Sequence, residues 1–356
     1  MDTPARCCRR RLRHAGQVLT AAALLFGWAA AATAQDALPV KGKLLGKGDD
    51  KSQDVSGIAC FPASGLPRSC LLVDDESQGA QIVIVKEREI IAGKLIGLID
   101  DVDDKGKPLS LDGEGVAFAD GFFYVMGSHG HPRDRNKKLD PVKDADKIAA
   151  AIKASSRVIR VRIDQAAITP DGKLTGEPDI KASAELGKLL AAQPELARFA
   201  GQRLDENGLT VEGIAVRDGR LFAGLRAPSL QGGTRAAILS VSVAALFDGA
   251  APDPTLHVID LGRGRGVRDL VALDDGFLVL AGPAADVEGT YAVYAWDGRD
   301  TSRFLTALPN FAEDGRQTKP EALLPLGPGV PEGLRVLVFF DGGSEGTPRP
   351  FRIPRP

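Results

Sequence analysis

Aromatic side chains are scarce in this chain: 14 Phe, 3 Tyr and 2 Trp make up 5% of its 356 residues. Small and β-branched residues therefore have to fill most of its core. Histidine and cysteine are scarcer, with four copies each. Cys7 and Cys8 fall in a basic opening segment, so only Cys60 and Cys70 remain beyond it. Two cysteines do not make a structural zinc site, but they suffice for one disulfide. No H-E-x-x-H and no phosphate-cradling Walker loop occurs. Beyond residue 34 no apolar run approaches the roughly 20 residues of a spanning helix.

What the chain does have is a phrase that returns. It reads DVSGIAC at 54–60, DGEGVAF at 112–118 and TVEGIAV at 210–216. Looser copies are VRDLVAL at 267–273 and KPEALLPL at 319–326. Taking Gly57, Gly115, Gly213, Asp269 and Ala322 as markers, the steps are 58, 98, 56 and 53 residues. The long step holds two segments of helical pattern, near 141–153 and 183–200. Without them it approaches the others.

Each unit reads as four short strands. In the first they are IACF, SCLLVD, AQIVIV and EIIAGKLIGLI. Asp-Gly pairs at 120–121, 218–219 and 275–276 suit tight hairpins, because Gly accepts a positive φ without steric cost. Repeated four-stranded units predict an all-β fold, a β-propeller of five four-stranded blades with short helical insertions. A β-sandwich or a six-bladed ring is the alternative. The last unit has room for three strands, and Val40–Gly46 is expected to supply its missing outer strand.

Residues 1–34 read as a secretory signal. Arg6, Arg9, Arg10, Arg11 and Arg13 precede the apolar run 18–32, and Ala32-Thr33-Ala34 fits a cleavage site. The propeller domain is then 35–356, secreted or periplasmic, with no membrane span after cleavage. Without the leader the balance is 40 basic against 46 acidic residues. Nucleic acid is thus not an expected partner, since phosphate binding needs a basic footprint. Cys60 and Cys70 lie on consecutive strands, and an oxidising compartment lets them pair.

In a propeller the first strand of each blade lines the central channel, so the phrase brings its polar residues together. The candidates are Glu114, Glu212, Arg268, Asp269, Lys319 and Glu321, with Ser56 in the first copy. Carboxylates from several blades near one axis repel one another unless compensated. Ca²⁺ held by Glu114, Glu212, Asp269 and Glu321 is one compensation. Arg268 and Lys319 are the other. Each acid can also simply bind the backbone of a neighbouring blade. A second set ends the second strands: Asp74, Asp75 and Glu76, then Ser128, His129 and His131, then Arg226 and Asp341. The pair His129-x-His131 suits a borderline metal, a polar ligand or a plain loop. The acidic stretch 100–106, DDVDDKG, has some calcium-loop spacing, but Lys105 stands where a ligand would be.

The series SGIACF, LDGEGVAF, VEGIAV, GVRDLVAL and KPEALLPL, with LVFFDGG near the end, resembles a bacterial family catalogued as domain of unknown function 3616. That family carries over no settled activity. The EG[IV]A phrasing is also similar to secreted propellers with phytase-linked esterase-like activity. This second resemblance implies a phosphoesterase or esterase, which needs a nucleophile or a metal-bound water.

Two functions follow. The first is a binding propeller that takes a small polar or anionic ligand, or an envelope protein, at the channel mouth through Glu114, Glu212, Arg226, Arg268, Lys319, His129 and Asp74. The second is a Ca²⁺-dependent hydrolase, with Asp269 as a further ligand or the base.

Overall fold

The computed structural model describes residues 1–2, 33–34, 36–63, 65–133, 139–313, 315–327 and 333–356. Most of the expected leader, including its basic and apolar parts, lies outside the described residues. Strands β1 (Thr33–Ala34) and β2 (Val40–Lys41) come first. Blade one is β3 (Val55–Cys60), β4 (Arg68–Asp74), β5 (Gly79–Val85) and β6 (Ile90–Gly97). Blade two is β7 (Gly113–Ala119), β8 (Phe122–Gly127), β9 (Val158–Arg162) and β10 (Asp179–Ser183). Blade three is β11 (Thr210–Arg217), β12 (Arg220–Ala227), β13 (Ala236–Ser242) and β14 (Thr255–Ile259). Blade four is β15 (Arg265–Leu273), β16 (Gly276–Pro283), β17 (Tyr291–Trp296) and β18 (Ser302–Leu308). Blade five is β19 (Phe311–Glu313), β20 (Arg316–Pro325), β21 (Leu334–Asp341) and β22 (Arg349–Ile353).

Within each blade sequential strands pair antiparallel, and the five sheets form a five-bladed propeller. Two of the Asp-Gly hairpins have the geometry their residues suit: Asp120 and Gly121 have φ of 51° and 82°, Asp218 and Gly219 of 51° and 70°. The third differs, since only Gly276 of its pair is positive, at 138°.

The apolar residues of the strands gather into five clusters, one at each blade interface. Leu71, Ile82 and Leu111 meet Val116, Phe123 and Val125 between blades one and two. Leu44, Val55 and Leu72 meet Ala322, Leu337 and Phe339 where blade five returns to blade one. Aliphatic side chains dominate these layers, as the low aromatic content requires. Cys60 and Cys70, directly opposed on β3 and β4, form the expected disulfide.

The closure differs from the expectation. Val40–Lys41 pairs parallel with β6 of blade one, and Thr33–Ala34 takes the outer edge of β22. The reason is apolar: Leu38, Val40 and Leu44 pack into the cluster between blades five and one, which holds the segment against Ile90. The following residues then cross to blade five. Gln53 C=O accepts from Gly342 N–H at 2.8 Å, and Ser52 C=O accepts from Glu345 N–H at 2.9 Å. Blade two carries the long connection, with helices α1 (Ala145–Ser155) and α2 (Glu185–Ala192). No described helix is long and apolar enough to cross a membrane.

Candidate functional site

All five inner strands share one irregularity. In β3 the ladder steps from Val55↔Asp74 to Gly57↔Val73, skipping Ser56. The same slip skips Glu114 in β7, Glu212 in β11, Arg268 in β15 and Glu321 in β20. A bulge places two residues opposite one and re-aims the extra side chain. Here it brings five side chains, one per blade, toward the axis. The glycine after the bulge is needed because neighbouring inner strands nearly touch. A Cβ at Gly57 would lie 2.6 Å from the Gly115 Cα, and one at Gly115 2.8 Å from Ile214 Cγ2.

These bulge residues form a buried ionic chain. The Glu212 carboxylate lies 2.9 Å from Arg226 Nη1 and 2.8 Å from Arg268 Nη1. Arg268 also donates from Nε to Glu321 at 2.9 Å and from Nη2 to the other Glu321 oxygen. All four side chains are 5% exposed or less. Burial depresses the Arg268 pKa, and the neighbouring Arg226 depresses it further. Arg226–Glu212 and Arg268–Glu321 are charge-assisted hydrogen bonds, whereas Arg268 Nη1 and Glu212 Oε2 pair by charge alone.

Glu114 stands apart. Its Oε1 is buried with no hydrogen-bond partner among the described residues. Burial first, then Glu212 and Asp112, push its pKa well above the carboxylate range. Asp75 behaves alike: burial, Glu114 and Asp112 raise its pKa, and its Oδ1 lacks a described partner. Arg133 lies in the field of the same acids. Desolvation opposes its charge, but Asp112, Glu114, Glu212 and Asp75 together raise its pKa.

Above this floor opens a cavity of about 1160 Å³, with Asp54, Asp75, Asp112, Arg133, Asp286 and Lys319 among its lining residues. Every blade, or a loop leading into it, contributes. Lys319 donates to Asp341 at 3.1 Å. Desolvation would raise the Asp341 pKa, but Lys319 and a hydrogen bond with Asp54 hold it down.

Three of the four acids expected to hold calcium, Asp269, Glu212 and Glu321, are engaged with other partners. Asp269 accepts backbone N–H groups from Leu270 at 2.7 Å and Leu323 at 2.6 Å, one on each oxygen, and so fastens blade four to blade five. Burial raises its pKa to about 7 against these bonds. Glu212 and Glu321 are held by arginines. Among the described residues no group of three or more His, Cys, Asp or Glu can hold a metal ion. Charge compensation by arginine wins because guanidinium forks reach carboxylates from the same bulge positions.

Two other candidates lie away from the cavity. Asp74 accepts from Ser52 Oγ at 2.6 Å and from Glu76 N–H at 3.0 Å, a loop-fastening role. Burial still lifts its pKa to about 6. His129 has φ of 55°, its Nδ1 is 2.8 Å from the Gly127 carbonyl, and its ring packs near Gly187 of α2. Burial lowers its pKa to about 4. Only His131 of the pair reaches the cavity. In the acidic stretch Asp101 pairs with Arg157 at 2.6 Å, and Asp103 caps its own turn.

The sequence reading missed Asp54, Asp112, Arg133 and Asp286. Asp54 and Asp112 sit two residues before the bulge, as Lys319 does, so the phrase itself held that signal. Arg133 and Asp286 lie in loops without a motif. The sequence reading finds no G-x-S-x-G nucleophile elbow, yet Gly342–Gly346 has that spacing. Ser344 lies at the cavity, but its N–H donates to Glu313, and no described histidine bonds its hydroxyl.

Several solved structures are similar in fold. An exo-β-1,3-galactanase from Clostridium thermocellum is 10% identical with a TM-score of 0.44, over 87% of this chain and 61% of that one. This chain thus spans under two thirds of that protein's length. A glycosyl hydrolase from Bacteroides ovatus is 11% identical with a TM-score of 0.39, over 86% of this chain and 85% of that one. An endo-arabinanase from Bacillus licheniformis is 10% identical with a TM-score of 0.34, over 87% and 95%. No curated protein matches. The family described as "Protein of unknown function (DUF3616)" matches residues 68–337, most of the chain, and this protein belongs to it.

Proposed function

We propose that the protein is a secreted or periplasmic propeller that binds a small polar ligand at the mouth of its central channel. One observation carries the reading: polar and charged side chains delivered by all five blades line a single cavity above a charge-balanced floor. Pockets of this size with convergent polar groups are the usual seat of small-molecule binding. Among the described residues no Phe, Tyr or Trp lines the cavity, so recognition rests on hydrogen bonds and charge rather than ring stacking. The disulfide and the leader pattern support the compartment.

The test is thermal unfolding against neutral sugars, amino acids and organic acids. A ligand present at about 100 times its Kd stabilises the fold by about 2.7 kcal/mol. At least one class is expected to raise Tm, and Asp112→Asn is expected to weaken that effect. A panel in which no class raises Tm overturns the reading.

One observation favours a second reading, hydrolysis without a metal. Asp75 and Glu114 each carry a buried carboxyl oxygen without a described partner, and burial favours their protonated forms. A carboxyl kept protonated near neutrality can act as a general acid, worth about 10²–10⁴ in rate. Glu114→Gln separates the two readings. Glu114, expected from the sequence to touch ligand, is buried and not among the residues lining the cavity, so a binding protein keeps its affinity, whereas a hydrolase loses turnover.

A further inference from the structure

The network below the cavity meets a loop at its outer edge, and its contacts there are long. Between β16 and β17 the chain is pinned at both ends. Ala284 N–H donates to the Gly264 carbonyl at 2.9 Å, and Gln317 Nε2 donates to the Gly289 carbonyl at 2.8 Å. Between these pins the tip lies over Arg226. Arg226 Nη2 donates to the Ala285 carbonyl at 3.1 Å. The Asp286 carboxylate sits 3.8 Å from the same nitrogen and 3.7 Å from Lys319 Nζ.

These two separations are ion-pair distances, too long for hydrogen bonds. Every other contact in the chain Glu321–Arg268–Glu212–Arg226 is 2.9 Å or closer. The Asp286 side chain is 61% exposed, whereas that of Arg226 is 3% exposed. A buried guanidinium thus has its outward nitrogen covered by a loop carbonyl and a loosely placed, solvent-facing carboxylate. The Arg226 Nε has no described partner either. Burial acts to raise the Asp286 pKa, but Lys319, Arg133, Arg226 and Arg268 outweigh it and lower the pKa. Four cations therefore converge on the place this carboxylate holds.

The geometry points to an oxyanion subsite at Arg226 and Lys319, in which Asp286 stands in for the carboxylate or phosphate group of a small ligand. This rests on the ligand-binding reading above and names the chemistry of one part of the ligand. A free oxyanion is not tethered to a pinned loop. It can close to the 2.7–2.9 Å of a charge-assisted hydrogen bond on both cations, which Asp286 does not reach. Ligand arrival displaces the loop tip, and its departure lets Asp286 return, so the cations never stand uncompensated.

Calorimetric titration of the full chain with inorganic phosphate, and separately with acetate, tests this at low salt. Glucose serves as the neutral control. Asp286→Asn removes the tethered charge at an exposed position and leaves the floor intact. It is expected to bind at least one of the two anions about tenfold tighter than the unaltered protein, with the gain shrinking as salt rises. The gain is expected to vanish in the double variant Asp286→Asn, Lys319→Gln. Equal anion binding by Asp286→Asn and the unaltered protein overturns the subsite, as does an equal gain for glucose or a gain that survives the loss of Lys319. If the unaltered protein binds a neutral polar ligand while Asp286→Asn changes nothing for anions, the oxyanion subsite fails and the binding function stands.

Discussion

Glu212 is the hinge of the buried charges, because one carboxylate serves Arg226 and Arg268 together. A metal ligand at this position would be dispensable to the fold, but a shared counter-ion is not. Glu212→Gln leaves two buried guanidinium groups short of one negative charge. Removing one partner of a buried pair costs about 3–5 kcal/mol. Urea unfolding should show a loss of that order with the m-value unchanged. A variant as stable as the parent would mean that the arginines find other partners.

At the scale of the element, the bulge and the glycine behind it work together. A Cβ on Gly57 meets three backbone atoms of blade two between 2.6 and 2.8 Å, and backbone cannot rotate aside. Gly57→Ala should cost about 1–3 kcal/mol by overpacking. Gly97, on outer strand β6, meets nothing within 4 Å, so Gly97→Ala should be neutral or slightly stabilising. Equal effects at the two sites, read from urea midpoints, would remove crowding at the axis as the reason for the glycine. The phrase was legible because the bulge recurs in every blade, while the crowding that demands glycine holds in blades one to three. Asp269 and Ala322 occupy the marker position as strictly as the three glycines do. What the phrase could not show is which charges neutralise which, since Glu212 and Arg268 come from different blades and Arg226 from a second strand. The closure was misread for a similar reason. Val40 is an acceptable strand residue for either edge, and only the cluster around Ile90 and Leu44 decides between them.

At the scale of the whole molecule, the buried carboxyls make stability depend on pH in an unusual direction. Asp74 and Asp269 have pKa values near 6 and 7, and those of Asp75 and Glu114 are raised too. Carboxyls in the unfolded chain titrate near 4. Between these limits the folded state holds protons that the unfolded state has released, so stability falls as pH rises through the window. His129, lowered to about 4 by burial, and His257, also lowered by burial, oppose this on the acid side. Four carboxyls outnumber the two histidines, and the urea midpoint should be higher near about pH 5 than near about pH 8. Asp269→Asn should flatten part of that slope, and a slope of the opposite sign would place these acids in water. The five bulges carry one more consequence. They make the axis a dial with five numbered settings, now reading Ser, Glu, Glu, Arg, Glu, in which the charged settings must balance one another. Exchanging letters in sets that keep the buried charges paired would move the polarity of the axis around the ring without changing the order of blades and turns.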